Sequence, residues 1–125
     1  MSFTFLRAVA VVLFVFYSSL ADAGSRTVLA SYYSDYFHGR VMANGDRFDN
    51  GNLENAASLQ FPLGTEVTLC EPKFEGKCLT VKITDRIDSK YKNRIDLSKA
   101  AALYFGFIEK GLETLIIKTI DSPTS

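Results

Sequence analysis

Two cysteines, Cys70 and Cys78, with residues 71–77 between them, constrain this chain more than any other feature. The sequence alternates on either side of them. Before Cys70, Val67 and Leu69 face one way and Glu66 and Thr68 the other; after Cys78, Leu79, Val81 and Ile83 make one face and Thr80, Lys82 and Thr84 the other. Such a period of two marks strands buried on one face, and the intervening Pro72 and Gly76 suit the loop of an antiparallel pair. The spacing is wrong for a CxxC-like redox pair, so a structural disulfide between Cys70 and Cys78 is predicted wherever the compartment is oxidising. Closing so short a loop contributes about 2.5 kcal/mol by the loop-entropy argument.

The amino terminus supplies the route to such a compartment. Arg7 is the only charge before Asp22, the run from Ala8 to Tyr17 is uncharged and rich in Val, Phe and Ala, and Ala21-Asp22-Ala23 places small residues at a cleavage point. The uncharged stretch Ala8–Ala21 is shorter than the roughly 20 residues of a membrane span. Residues 1–23 therefore read as a secretory signal peptide, residues 24–125 as one exported domain, and no membrane attachment is expected after cleavage.

Charge and composition exclude other classes. Fourteen basic residues balance fourteen acidic ones, which leaves no global field for nucleic acid. Two cysteines and a single histidine build neither a four-thiolate nor a multi-histidine site, so no metal or other cofactor is expected. Thr27–Tyr33 reads as a first strand and Leu115–Ile117, ending with Ile120, as a closing one. Asn44-Gly45 and Asn50-Gly51 mark tight turns within a long loop, Asp35–Asn55. The one helix expected is Asp96–Phe105, capped by Asp96 or Ser98 and ended by Gly106. Strands with a single helix and no βαβ repeat predict a small β-barrel.

Several strings then fall in a familiar order. Ala30-Ser31-Tyr32-Tyr33, Phe37-His38-Gly39-Arg40, Ala43-Asn44-Gly45-Asp46, Phe48-Asp49, Ala56-Ala57, Pro62-Leu63-Gly64-Thr65, Asp85-Arg86 and Arg94-Ile95-Asp96-Leu97-Ser98 run through almost the whole exported part. The chain resembles the rare lipoprotein A (RlpA-like) family of peptidoglycan lytic transglycosylases, and more distantly expansins and barwin-like proteins. The resemblance implies a mainly β fold, a six-stranded double-psi β-barrel with one short helix. It also implies a peptidoglycan substrate, cleaved with formation of a 1,6-anhydromuramic acid end, in the periplasm or outside the cell, by a protein expected to be monomeric.

Carried over residue by residue, the resemblance places catalysis at Asp85 and Asp46, and substrate contacts at Tyr33, Ser58, Arg86 and Asn44. The sequence departs from the family at two of these positions. Asp46 stands where the family has Glu, and Ser58 where it has His, whose imidazole a hydroxyl does not replace in proton transfer. There is one extra residue around Glu54-Asn55, and Ile87-Asp88 replaces a frequent Gly-Pro. A lone acid still suffices in principle, because in a lytic transglycosylase the 6-hydroxyl of the muramic acid is the nucleophile; Asp85, kept protonated in a poorly solvated groove, would serve.

Each residue also has a plainer reading. Asp85 can pair with Arg86 or close a turn, Asp46 can stabilise the Asn44-Gly45 turn, Asp96 can cap the helix, and His38 can pack beside the Gly39-Arg40 turn. Tyr32, Tyr33, Tyr36 and Phe37 are either a platform for sugar rings or ordinary core and rim residues. The basic excess between Lys73 and Lys99 suits an anionic polymer or a solvated face. The missing histidine keeps two other classes open: an expansin-like protein that binds wall glycan without cleaving it, and a barwin-like protein that binds another protein.

Overall fold

The computed structural model describes residues 26–74 and 76–123; the leader assigned to residues 1–23 lies outside them. Six strands, β1 (Arg26–Tyr32), β2 (Asn55–Ser58), β3 (Glu66–Cys70), β4 (Cys78–Asp85), β5 (Arg94–Leu97) and β6 (Glu113–Asp121), close into a barrel in the order β1-β5-β2-β4-β3-β6. The pairs β1–β5 and β2–β4 are parallel and the other four antiparallel. Closure leaves no open sheet edge.

The hairpin expected around the cysteines is present. β3 and β4 pair from Glu66↔Lys82 to Cys70↔Cys78, and the last pair carries the disulfide. Alternation in β4 points Val81 and Ile83 inward, where they meet Val67 and Leu69 of β3, Leu115 and Ile117 of β6, and Phe107. Replacing both cysteines by alanine is expected to cost about 2–3 kcal/mol of stability by the loop-entropy argument, read as a lower urea midpoint. An unchanged midpoint would remove the disulfide from the forces holding this fold.

Two expectations need correction. The helix, α1, covers Lys99–Phe105 and not Asp96–Phe105. Ser98 is its N-cap, the Oγ accepting from Ala101 N at 3.1 Å, and Gly106 ends it in the left-handed conformation at φ 78°. Residues 94–97 form β5 because Ile95 and Leu97 alternate with Arg94 and Asp96 and fill the core from one side of the strand. Asp96 therefore caps nothing.

Asn50 is likewise more than a turn residue. It is 7 % exposed; its Nδ2 donates to Asp35 Oδ1, its Oδ1 accepts from Lys99 N, and its carbonyl accepts from Ala100 N. This ties the long loop to the start of α1. The loop then folds back over the outside of the barrel, where Met42 and Phe48 join Tyr33 and Ala57 in a second small core flanked by Ile87. Its Asn44-Gly45 turn is as expected, with Gly45 at φ 96°.

Candidate active site

Beside that second core the barrel brings two carboxyl groups into one row. In the β2–β5 ladder Ala57 faces Asp96, and in the β2–β4 ladder Ala57 faces Asp85. The register between β2 and β4 shifts at Ala56/Ala57, from Ala56↔Ile83 to Ala57↔Asp85. By simple alternation Asp85 would follow Ile83 into the core. The bulge turns it outward instead, a common use of bulges at functional sites. Asp85 and Asp96 thus flank the small side chain of Ala57, with backbones two inter-strand spacings, or roughly 10 Å, apart.

The surroundings of the two acids differ. Asp85 receives three hydrogen bonds: Tyr33 Oη donates to Oδ2 at 2.7 Å, and the amides of Ala43 and Arg86 donate to Oδ1 at 2.9 and 2.8 Å. Every partner is a donor, so the three bonds fix the orientation of the Asp85 carboxyl group. Tyr33 is well placed to remain a donor, since burial, followed by its bond to Asp85, pushes its phenol far above the ordinary tyrosine value. Asp96 has one donor on the same strand face, Ser31 Oγ at 2.9 Å. Burial pushes its carboxyl up to about 6, against the pull of Ser31 and Arg94, with the Asp85 charge adding to the rise.

The remaining sequence-derived candidates are placed differently. Ser58 is 1 % exposed, and its Oγ accepts from Gln60 N, closing a turn at the end of β2. Arg86 has its Nη1 committed to the carbonyls of Ser58 and Phe61 at 2.7 and 2.6 Å, which ties the end of β2 to the segment that follows it. Asn44 and Asp46 bond to one another, Asn44 Nδ2 to Asp46 Oδ2 and Asp46 N to Asn44 Oδ1. Both line a groove of about 370 Å³ with Glu54, Glu66, Lys82 and Thr84, and Asp85 is not part of that lining. The turn that carries Asn44 and Asp46 lies against the end of β4, where Asn44 N donates to Thr84 O at 3.1 Å and Ala43 N to Asp85 Oδ1.

Of the aromatic cluster, Tyr33 is buried and stacks on Phe48 at 4.1 Å, so its hydroxyl and not its ring face belongs to the site. Tyr32 packs edge-on against Phe107 and donates to Ile108 O. Tyr36 and Phe37 are exposed on a 3-10 turn, Asp35–Phe37, with the Phe37 ring 5.9 Å from that of Tyr33. His38 accepts from Asn50 N through Nδ1 and takes no part in the carboxyl row.

Sequence reasoning missed Asp96, which reads as a cap because Leu97, Ser98 and a run of helix formers follow it. The signal that could have found it is the alternation Arg94-Ile95-Asp96-Leu97, four residues of strand directly ahead of the helix.

A closed six-stranded barrel with parallel β1–β5 and β2–β4 pairs and one helix is a double-psi β-barrel. The chain belongs to the lytic transglycolase family, whose model matches residues 25–115. It is 35 % identical over 96 residues to the endolytic peptidoglycan transglycosylase RlpA of Neisseria meningitidis, covering 77 % of this chain and 39 % of that protein. It is 38 % identical over 92 residues to the probable endolytic peptidoglycan transglycosylase RlpA of Treponema pallidum, covering 74 % and 28 %. The chain thus spans less than two-fifths of the length of either relative.

Two solved structures share the fold. Streptomyces papain inhibitor superposes with a TM-score of 0.60 at 21 % identity, covering 77 % of this chain and 94 % of that one. An expansin from Clavibacter michiganensis superposes with a TM-score of 0.56 at 21 % identity, covering 82 % and 53 %. Among the described residues no helix is long and apolar enough to cross a membrane.

Proposed function

We propose that residues 24–125 are an exported domain that cleaves peptidoglycan glycan strands by intramolecular transglycosylation, with Asp96 as the acid and Asp85 as the carboxylate that assists it. The observation carrying this reading is the row Asp96–Ala57–Asp85 in a member of the lytic transglycolase family. Residues 1–23 act as the export signal, and the domain works in the periplasm or outside the cell.

The chemistry follows from the unequal surroundings of the acids. Protonated Asp96 gives its proton to the glycosidic oxygen of a muramoyl bond, and the bond from C1 to that oxygen breaks with the electron pair leaving on oxygen. Positive charge builds on C1 and the ring oxygen. Asp85, held in place by hydrogen bonds from Tyr33, Ala43 and Arg86, stabilises that charge. The 6-hydroxyl of the same sugar attacks C1 and its proton passes to Asp85, which leaves a 1,6-anhydro ring without consuming water. Both roles differ from those implied by the sequence, where Asp85 was the acid and Asp46 its companion. They also dispense with the histidine that Ser58 replaces.

The test is incubation of protein lacking residues 1–23 with peptide-free peptidoglycan, followed by mass spectrometry for 1,6-anhydromuramic ends. Asp85→Asn is expected to reduce their formation by about 10²–10⁴-fold, because the amide neither carries charge nor takes a proton. The second reading, glycan binding without cleavage, is favoured by Ser58, a hydroxyl that does not replace imidazole in proton transfer. It gains if the wild type releases no anhydro ends yet is retained on the polymer.

A further inference from the structure

Arg94 and Asp96 are two residues apart on β5 and point to the same face, about 6.7 Å from one another along the strand. In the ladder with β1 they stand opposite Leu29 and Ser31 respectively. The Arg94 guanidinium lies 4.3 Å from the centroid of the Tyr91 ring, and Lys90 Nζ lies 5.1 Å from the same centroid. Among the described residues no carboxylate comes within ion-pair distance of Arg94. Arg86 and Lys99, by contrast, are engaged by other groups, Arg86 by two carbonyls and Lys99 by Asp35. Arg94 is therefore a cation braced by a ring, within electrostatic reach of the Asp96 carboxyl but in direct ion-pair contact with no carboxylate among the described residues.

We propose that Arg94, held in place by Tyr91, is the carboxylate anchor of the site and binds the free lactyl carboxylate of the muramoyl residue undergoing cleavage. The proposal rests on the carboxyl row being the catalytic centre, as set out under Proposed function. The lactyl group hangs from C3 of the sugar whose C1 reacts, so a sugar seated over Asp96 needs its anion met one sugar-width away. Without a cation there, the lactate would face Asp85 as a like charge. The planar fork of an arginine suits a carboxylate and binds it through paired donors.

The experiment compares retention of the chain lacking residues 1–23 on two insoluble polymers: peptide-free peptidoglycan glycan, and the same glycan with its lactyl carboxylates converted to methylamides. Retention of every variant is measured at the same pH, about 8, above the value of about 6 to which burial pushes Asp96 in the wild type. Wild type is expected to bind the carboxylate form about tenfold more tightly, the ratio that roughly 1.4 kcal/mol supplies. Arg94→Gln should bind both polymers equally, at the level of the amidated one, and Arg94→Lys should restore part of the difference. Equal binding of both polymers by wild type, or undiminished discrimination by a folded Arg94→Gln, overturns the proposal. The retention ratio decides it even if neither polymer yields anhydro ends, an outcome that would remove the transglycosylase reading alone.

Discussion

Replacing Asp96 by asparagine should abolish turnover and, at neutral pH, stabilise the protein. Loss of a general acid costs about 10²–10⁴ in rate. The gain in stability has its origin in the same burial that makes Asp96 an acid. Its carboxyl is pushed from 3.8 to about 6 by burial, so between those values the folded state holds a proton that the unfolded chain has released. Stability from that proton is complete below about pH 4 and is lost as the pH rises through about 6. Above that range the folded protein carries a buried charge that it would be more stable without. Asparagine carries none, so the urea midpoint of Asp96→Asn should fall less than that of wild type between pH 4 and 7.5 and lie above it at the upper end.

Turnover should show the same group. At pH 7 about a tenth of Asp96 is protonated for a value near 6, and the rate should fall tenfold per further pH unit. A variant Asp96→Asn that still produces anhydromuramic ends, or a wild-type rate that is flat between pH 6 and 8, would return the acid role to Asp85. The strained balance is typical of active sites, where a group kept at a cost to stability performs the reaction.

The largest loss of stability is expected from Phe107→Ala. Phe107 is 0 % exposed and is the largest of the fully buried side chains among the described residues. It follows the helix cap Gly106, and Tyr32 of β1 packs edge-on against it at 5.9 Å. Truncating a buried phenylalanine costs about 3–5 kcal/mol, a large share of the 5–15 kcal/mol that holds a typical domain. The variant should unfold at much lower urea than wild type, and Phe107→Leu should fall between the two. A midpoint for Phe107→Ala within a few tenths molar of wild type would mean that the helix and its following turn add little to the barrel.

How much of this could be read from the chain differs from element to element. β1, β3, β4 and β6 run from five to nine residues and declare themselves by alternation or by an apolar run. β2 and β5 have four residues each. Asn55-Ala56-Ala57-Ser58 has no strand-forming residue, and Arg94–Leu97 merges with the helix behind it. Those two short strands are the ones that build the site, since β5 carries Asp96 and β2 carries the Ala57 between the acids. Their presence came from the family resemblance, because partners on both sides, and not intrinsic propensity, hold them extended.

The site divides along the same line. Asp85 was visible as a carboxylate ending a strong strand, and the pairing of Cys70 with Cys78 was visible from spacing and export. Charged and polar residues named by motif alone have structural partners that the motif does not show: Ser58 is buried, Arg86 is tied to two carbonyls, and Asp46 is bonded to Asn44. By itself the sequence determined the hairpin, the disulfide, the turn at Gly45 and the single helix, all of which depend on contacts between residues near in the chain. Only the tertiary structure decided which acids share a face. That choice depends on a one-residue shift between β2 and β4, which turns Asp85 outward, and on a parallel pairing of β1 with β5, which sets Ser31 against Asp96. Both are registers between segments far apart in sequence, where a shift of one residue reverses the face on which every side chain lies.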